Sequence, residues 1–173
     1  MPEMPTVRLR EIMTAADRAS VMGLRRGRGP FYVSSMQDSF AEADAEPRAM
    51  PHSWAVHDAD GSELVGFVMI SDDIPQPIDG DLVGPYFLWK LLIDARHQRR
   101  GYGTATIDAL VEYLRSRPGA DLLFTSCADG PGSPRPFYLS YGFGDTGRVM
   151  WGENVLALDL APSDVTATGR AGG

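Results

Sequence analysis

The 173-residue chain has one cysteine, Cys127, one lysine, Lys90, and three histidines. A single cysteine permits no internal disulfide and no multi-cysteine zinc site. His52, His57 and His97 lack metal-ligand spacing such as HExxH, so no metal is expected. Long apolar runs are also missing: nothing approaches the ~18 residues of a membrane span. The opening MPEMPTVRLREIM carries acids and no apolar run, unlike a signal peptide. The expectation is a cytoplasmic, soluble chain with no membrane partner. Positive charge is in deficit, with 16 Lys plus Arg against 23 Asp plus Glu and a net charge of −7. Nucleic-acid binding needs a broad basic face to displace counterions, so no nucleic-acid partner is expected. A small anionic ligand needs only a local basic cluster and is not excluded.

The charge is uneven. From Asp38 to Asp94 there are 12 acids and two bases, Arg48 and Lys90. Arg96, Arg99 and Arg100 follow immediately.

Hydrophobic periodicity places the elements. Residues 6–12 (TVRLREI) alternate as a half-buried strand. Residues 14–25 read as a helix with Thr14 as N-cap, residues 25–30 (RRGRGP) as a turn, and residues 31–46 as a second helical stretch. Residues 53–58 and 63–71 form a hairpin around DADGS, and residues 72–85 form a proline-rich loop. Residues 86–94 (YFLWKLLID) are short enough for a central strand. From near Thr104 to Arg115 the period becomes helical, with Ile107, Leu110, Val111 and Leu114 on one face. A strand over 121–127, a short helix over 137–141 and strands over 148–151 and 154–160 complete the pattern. This is one α/β (α+β) domain over residues 1–160, with about six to seven strands and about four helices. Residues 161–173 are small and polar and are expected to fray.

The strongest chemical signal is QRRGYGT, residues 98–104, between the buried strand and the amphipathic helix. Glycines there permit a tight turn and close ligand approach. The first helical amides have no internal acceptor and carry the positive end of the dipole, which suits a phosphate or pyrophosphate. No GxxxxGK[ST] string occurs, and the dinucleotide pattern GxGxxG fails at Thr106. From spacing alone, a plain strand–helix turn with a solvated basic rim is the competing reading.

Gln98-x-x-Gly101-x-Gly103 resembles the [RQ]xxGx[GA] motif of the GNAT superfamily of N-acetyltransferases. Downstream, FYLSYGF (residues 137–143) is similar to that superfamily's [LF]Yxx[FLY]GF helix. The segments FYVSSMQDSFAEA, VGFVMI, FLWKLLID and GENVLALDL, in this order, most resemble the diamine, spermine and spermidine acetyltransferase branch. The chain departs from the pattern at Ala95, where many relatives carry proline. It departs again in GPGSPRP (residues 130–136), where many carry an asparagine that holds the pantetheine arm.

The resemblance implies a mixed, mostly antiparallel sheet whose splayed central strands take acetyl-CoA, the acetyl donor. It implies direct attack by an amine in a ternary complex. Leu92, Ile93 and Asp94 then offer backbone groups to pantetheine, with Ile93 as oxyanion donor. Arg99, Arg100, Gly101, Tyr102, Gly103 and Thr104 hold the pyrophosphate. Tyr138 is the general acid toward the departing thiolate. The general base is left open among Asp72, Asp73, Glu153 and a water chain. Tyr86, Trp89 and the acids between Asp38 and Glu46 are further acceptor contacts. The acceptor is expected to be a small, cationic, polyamine-like primary amine. An antibiotic, an amino acid or a protein N-terminus is the alternative, and a non-catalytic acyl-CoA-binding regulatory domain is a second one. Homodimers are common in the family, and residues 154–160 are a possible interface. Cys127 and His97 read as packed side chains.

Overall fold

Seven strands form one sheet. They are β1 (Val7–Glu11), β2 (Pro51–Asp58), β3 (Leu64–Ser71), β4 (Phe87–Ile93), β5 (Leu122–Cys127), β6 (Gly144–Met150) and β7 (Glu153–Asp159), ordered β1-β2-β3-β4-β5-β7-β6. This computed structural model describes residues 3–27 and 33–161. The RRGRGP turn and the start of the second helical stretch therefore fall partly outside the described residues, and the tail from residue 162 falls wholly outside them. Every pairing is antiparallel except β4 with β5.

Four α-helices flank the sheet among the described residues: α1 (Ala15–Val21), α2 (Met36–Ala45), α3 (Tyr102–Arg115) and α4 (Arg135–Tyr141). Thr14 caps α1 through a reciprocal capping box with Asp17. Ser35 caps α2 by accepting from the Asp38 amide, so this helix starts later than apolar spacing alone suggests. Ile107, Leu110 and Leu114 bury one face of α3 against Val68, Ile70, Leu123 and Leu156. Each such side chain contributes about 1.5–3 kcal/mol. On the opposite face of the sheet, Val21, Met36 and Phe40 from α1 and α2 pack on Phe67, Met69 and Leu92. None of the described helices is long and apolar enough to cross a membrane.

Two boundaries differ from the sequence reading for physical reasons. β6 starts at Gly144 because a bulge between Asp145 and Val149 breaks the period-two pattern in the GDTGR segment. Trp151 is not the end of a strand: with Gly152 it forms the turn between Met150 and Glu153.

The feature that positions the site is the junction of β4 and β5. These parallel strands pair only through Phe87 with Phe124 and Leu88 with Thr125. The Thr125 hydroxyl donates to Leu88 O at 3.0 Å where they part. Beyond Leu88, β4 has no ladder partner on that side, while β5 continues against β7. The result is a wedge-shaped gap in the middle of the sheet.

Candidate active site

The β4 wall of the gap follows from strand alternation. The Asp94 amide donates to Val65 O at 2.8 Å, which sets the phase of the β3–β4 ladder. Leu92 and Asp94 therefore turn their main-chain groups toward β3, and Leu91 and Ile93 turn theirs toward the gap. The Gln98 side chain donates to Ile93 O at 3.2 Å, leaving the Ile93 N–H facing the opening. Of Leu92, Ile93 and Asp94, Ile93 is the one whose main chain turns toward the gap. Leu92 packs into the core beneath α1 and α2, and Leu91, unmarked by any motif, takes its place.

The Asp94 carboxylate is fully buried and accepts from the Arg25 amide, the Arg96 amide and Arg96 Nε at 2.8–2.9 Å. The Arg96 guanidinium holds Asp94 well below the usual carboxylate range; burial opposes this, and the two amides add to it. The abrupt change of charge sign in the sequence is thus in part an ion pair that clasps a 3-10 turn (Ala95–His97). Arg96 is engaged there, Arg99 lines the cavity in a left-handed conformation (φ 61°), and Arg100 is exposed and does not line it.

Gly101 takes the left-handed conformation (φ 85°) that lets α3 begin at Tyr102, and no side chain caps the helix. The first helical bond runs from the Ala105 amide to Gly101 O, so the amides of Tyr102, Gly103 and Thr104 keep no intrahelical acceptor. A Cβ on Gly103 would stand 3.2 Å from the Phe137 ring, tighter than ordinary contact, so the ring would have to shift by a few tenths of an ångström to admit it. A cavity of 650 Å³ runs past Leu91, Ile93, Arg99, residues 101–104, Phe137 and Tyr138. His97 also lines it. This histidine is buried, lies 3.2 Å from Glu63 through Nε2, and finds no partner for Nδ1 among the described residues.

Tyr138 projects from α4 into this region, 7% exposed, with its ring against Phe137 and Phe143. Burial pushes its phenol up to about 12, and the neighbouring Thr125 hydroxyl acts in the opposite sense. The group stays protonated through the physiological range.

A second cavity of 380 Å³ lies beyond the gap and shares Pro134 with the first. It is lined by Glu46, Asp81, Trp89, Lys90, Cys127 and Glu153, among others. Glu153 Oε2 accepts from the Ser126 hydroxyl at 2.6 Å. Arg48 pairs with Glu46, Asp79 and Asp81, and Lys90 pairs with Glu42. Asp44 is bound to Arg18, and Asp38 caps α2 with Ser35. The acidic stretch is therefore largely ion-paired, whereas Glu153, at the same cavity, is hydrogen-bonded to a neutral hydroxyl. Cys127 is buried, and burial pushes its thiol up, which disfavours the nucleophilic thiolate.

Three of the expected acceptor contacts lie elsewhere. Tyr86 is fully buried in the core, with its hydroxyl donating to Pro118 O at 2.6 Å. Asp73 occupies a left-handed turn (φ 64°) after β3 and does not line the cavity. Asp72 is buried and accepts from His52, Tyr113 and Arg117 at 2.5–2.9 Å, while His52 also bridges to Glu11 at 2.6 Å.

This cluster makes a stability prediction. Burial lowers the His52 pKa, but the hydrogen bonds to Asp72 and Glu11 outweigh it and raise the pKa overall. The stabilisation is then complete below the ordinary histidine value of about 6.5 and is lost as pH rises through the raised one. His52→Gln is expected to lose about 1.5 kcal/mol at pH 6 and distinctly less at pH 9. Urea unfolding of both proteins at the two pH values checks this, and an equal loss at both contradicts it.

A family model described as the acetyltransferase (GNAT) family matches residues 19–143. A search of curated proteins finds no match. Among solved structures, a protein from Desulfovibrio desulfuricans assigned to the GNAT family is 19% identical. It covers 90% of this chain and 100% of its own, with a TM-score of 0.64. The spermidine/spermine N-acetyltransferase of Vibrio cholerae is 15% identical over 90% of this chain and 93% of its own, with a TM-score of 0.56. The ribosomal-protein-S18-alanine N-acetyltransferase of Escherichia coli is 17% identical over 94% and 98%, with a TM-score of 0.58. At such identities these likenesses concern the fold.

Proposed function

Because the chain belongs to the GNAT acetyltransferase family, we propose that it transfers acetyl from acetyl-CoA to a primary amine of a small, cationic, polyamine-like acceptor. Attack is direct, with donor and acceptor bound together. The observation that carries this reading is the pair of cavities, 650 and 380 Å³, meeting at Pro134 across the β4–β5 gap.

The residues of the larger cavity fit the donor. The amides of Tyr102, Gly103 and Thr104 suit a pyrophosphate, Arg99 adds charge beside them, and the main chain of Leu91 and Ile93 suits an amide-bearing arm. The orphaned Nδ1 of His97 is a further polar atom at that wall. When bound, acetyl-CoA supplies an activated acyl carbon with a thiolate as leaving group. Ile93 holds an N–H where negative charge develops; losing such a donor elsewhere costs about 3 kcal/mol. Tyr138 holds a proton at its hydroxyl oxygen on the wall of the same cavity, where it would serve a departing thiolate.

The smaller cavity holds the acceptor. An alkylammonium ordinarily titrates near 10.4 and must be neutral to attack. Carboxylates that attract the cation also stabilise its charge, so attraction and deprotonation have to be separated. Glu153 is the acid that orients the amine, since Glu46 and Asp81 at the same cavity are neutralised by Arg48. Glu153→Gln is expected to raise the KM of a diamine about tenfold and to leave the KM of acetyl-CoA within twofold.

The fold alone does not choose the acceptor, since neighbours of this fold are named for spermidine and for a ribosomal-protein alanine. Release of CoA thiol, measured with a panel of diamines, polyamines, monoamines, amino acids and a short peptide, tests the reading. Turnover greatest with the small cationic amines supports it. Preference for the peptide or an amino acid assigns the alternative acceptor. Tight acetyl-CoA binding without any acceptor-dependent release indicates a non-catalytic acyl-CoA-binding domain.

A further inference from the structure

The β6–β7 turn is two residues long, since Met150 pairs with Glu153 across Trp151 and Gly152. Both turn residues have positive φ, 53° at Trp151 and 77° at Gly152. That is the conformation for which Asn-Gly is favoured, because a bulky L side chain is strained there. Trp151 is also 55% exposed, so little burial on folding offsets that strain. Its indole lies edge-on to Phe87 with ring centres 5.8 Å apart, and both rings line the smaller cavity together with Trp89 and Val83. The next strand residue but one, Glu153, carries the carboxylate at the same cavity. Strain of this kind in a bulky residue persists where function uses it.

From these observations we propose that Trp151 is an acceptor-recognition residue. It closes the apolar wall of the smaller cavity over the hydrocarbon skeleton of the amine, while Glu153 takes the charged end. The preferred acceptors are then primary amines whose nitrogen sits on a run of methylenes. This inference rests on the proposed acetyltransfer and adds to it the part of the substrate that Trp151 reads. Trp151 touches the acceptor and not the donor, so its contribution appears in the acceptor's KM and grows with chain length.

The test is Trp151→Asn, which installs the residue the turn prefers, measured with straight-chain primary amines from propylamine to hexylamine. The thermal midpoint is expected to stay the same or rise, since turn strain is relieved and no core packing is removed. The KM for acetyl-CoA stays within twofold. The KM of the amines rises, and the ratio of variant to wild type increases about two- to fourfold per methylene. Trp151→Phe, which keeps an aromatic wall, recovers most of the loss. A ratio that does not change with chain length overturns the inference, as does a variant whose amine KM equals that of wild type. A lowered midpoint with parallel loss for all amines indicates a structural role and also overturns it. Wild-type protein that binds acetyl-CoA yet acetylates no amine overturns the proposed function itself, and this inference with it.

Discussion

Tyr138→Phe is expected to lower kcat about 100-fold or more while the affinity for acetyl-CoA changes less than twofold. The substitution removes one oxygen and keeps the ring that packs on Phe137 and Phe143 at 5.4 and 5.3 Å. The side chain is 7% exposed, so neither shape nor burial is altered. Burial holds the phenol at about 12, whereas an ordinary thiol titrates near 8.5. Full proton transfer to a thiolate is therefore uphill from this residue, and its larger effect is a hydrogen bond that strengthens as charge builds on sulfur. Such a bond acts on the transition state and not on the bound ground state, which is why kcat falls and affinity does not. Steady-state kinetics with the best amine, alongside calorimetric binding of CoA, separates the cases. Equal losses in kcat and affinity assign Tyr138 a packing role instead.

The second large effect is on stability. Asp94→Ala is expected to cost about 3 kcal/mol, lowering the thermal midpoint by about 6–12 °C. Its carboxylate is fully buried and accepts from the Arg25 and Arg96 amides and from Arg96 Nε. Truncation leaves two main-chain donors without acceptors and frees the turn that leads from β4 into Gly101. The KM for acetyl-CoA is expected to rise as well, because that turn places the α3 amides. The folded-state pKa lies below the unfolded one. Asp94 therefore contributes its full stability above the unfolded value near 3.9, and the contribution falls away as pH drops below it. The difference between wild type and variant in chemical denaturation stays constant from pH 8 to 5 and narrows below about 4. A difference that is small at pH 7, or that grows in acid, contradicts this account.

The elements were legible wherever period and caps agreed. The Thr14 cap, the Ile107–Leu110–Leu114 stripe and the DADGS hairpin each carry a local signal, and each forms the kind of element expected from it, although α1 ends at Val21 and not at Arg25. Ser35 set the start of α2 later than the apolar spacing did. The GDTGR segment hid a strand, since a bulge removes the alternation by which strands are recognised.

For the site, the reading was uneven in a way that follows from range. QRRGYGT marks the start of α3 because its glycines answer a local backbone demand. Which of Leu91, Leu92, Ile93 and Asp94 face the gap depends on the phase of the β3–β4 ladder, which a run of apolar residues does not record. Tyr86, Asp72 and Glu153 are equally plain in the chain. Tertiary packing places the first in the core and the second in a charge cluster, and of the three Glu153 lines the smaller cavity.

With one cysteine and three unpatterned histidines in the chain, the proposed site draws on backbone amides, a phenol and carboxylates. By itself the sequence determined the family, the glycine turn that starts α3 and the place of Tyr138 on a short helix, since each depends on neighbours a few residues apart. Only the tertiary structure decided how the charges are used. Arg96 meets Asp94, Arg48 meets Glu46 and Asp81, and Trp151 is held over the cavity by its turn. Apart from the local pairs Arg96–Asp94 and Arg48–Glu46, these meetings depend on tertiary packing and hairpin geometry, and the net charge of −7 carries no trace of them.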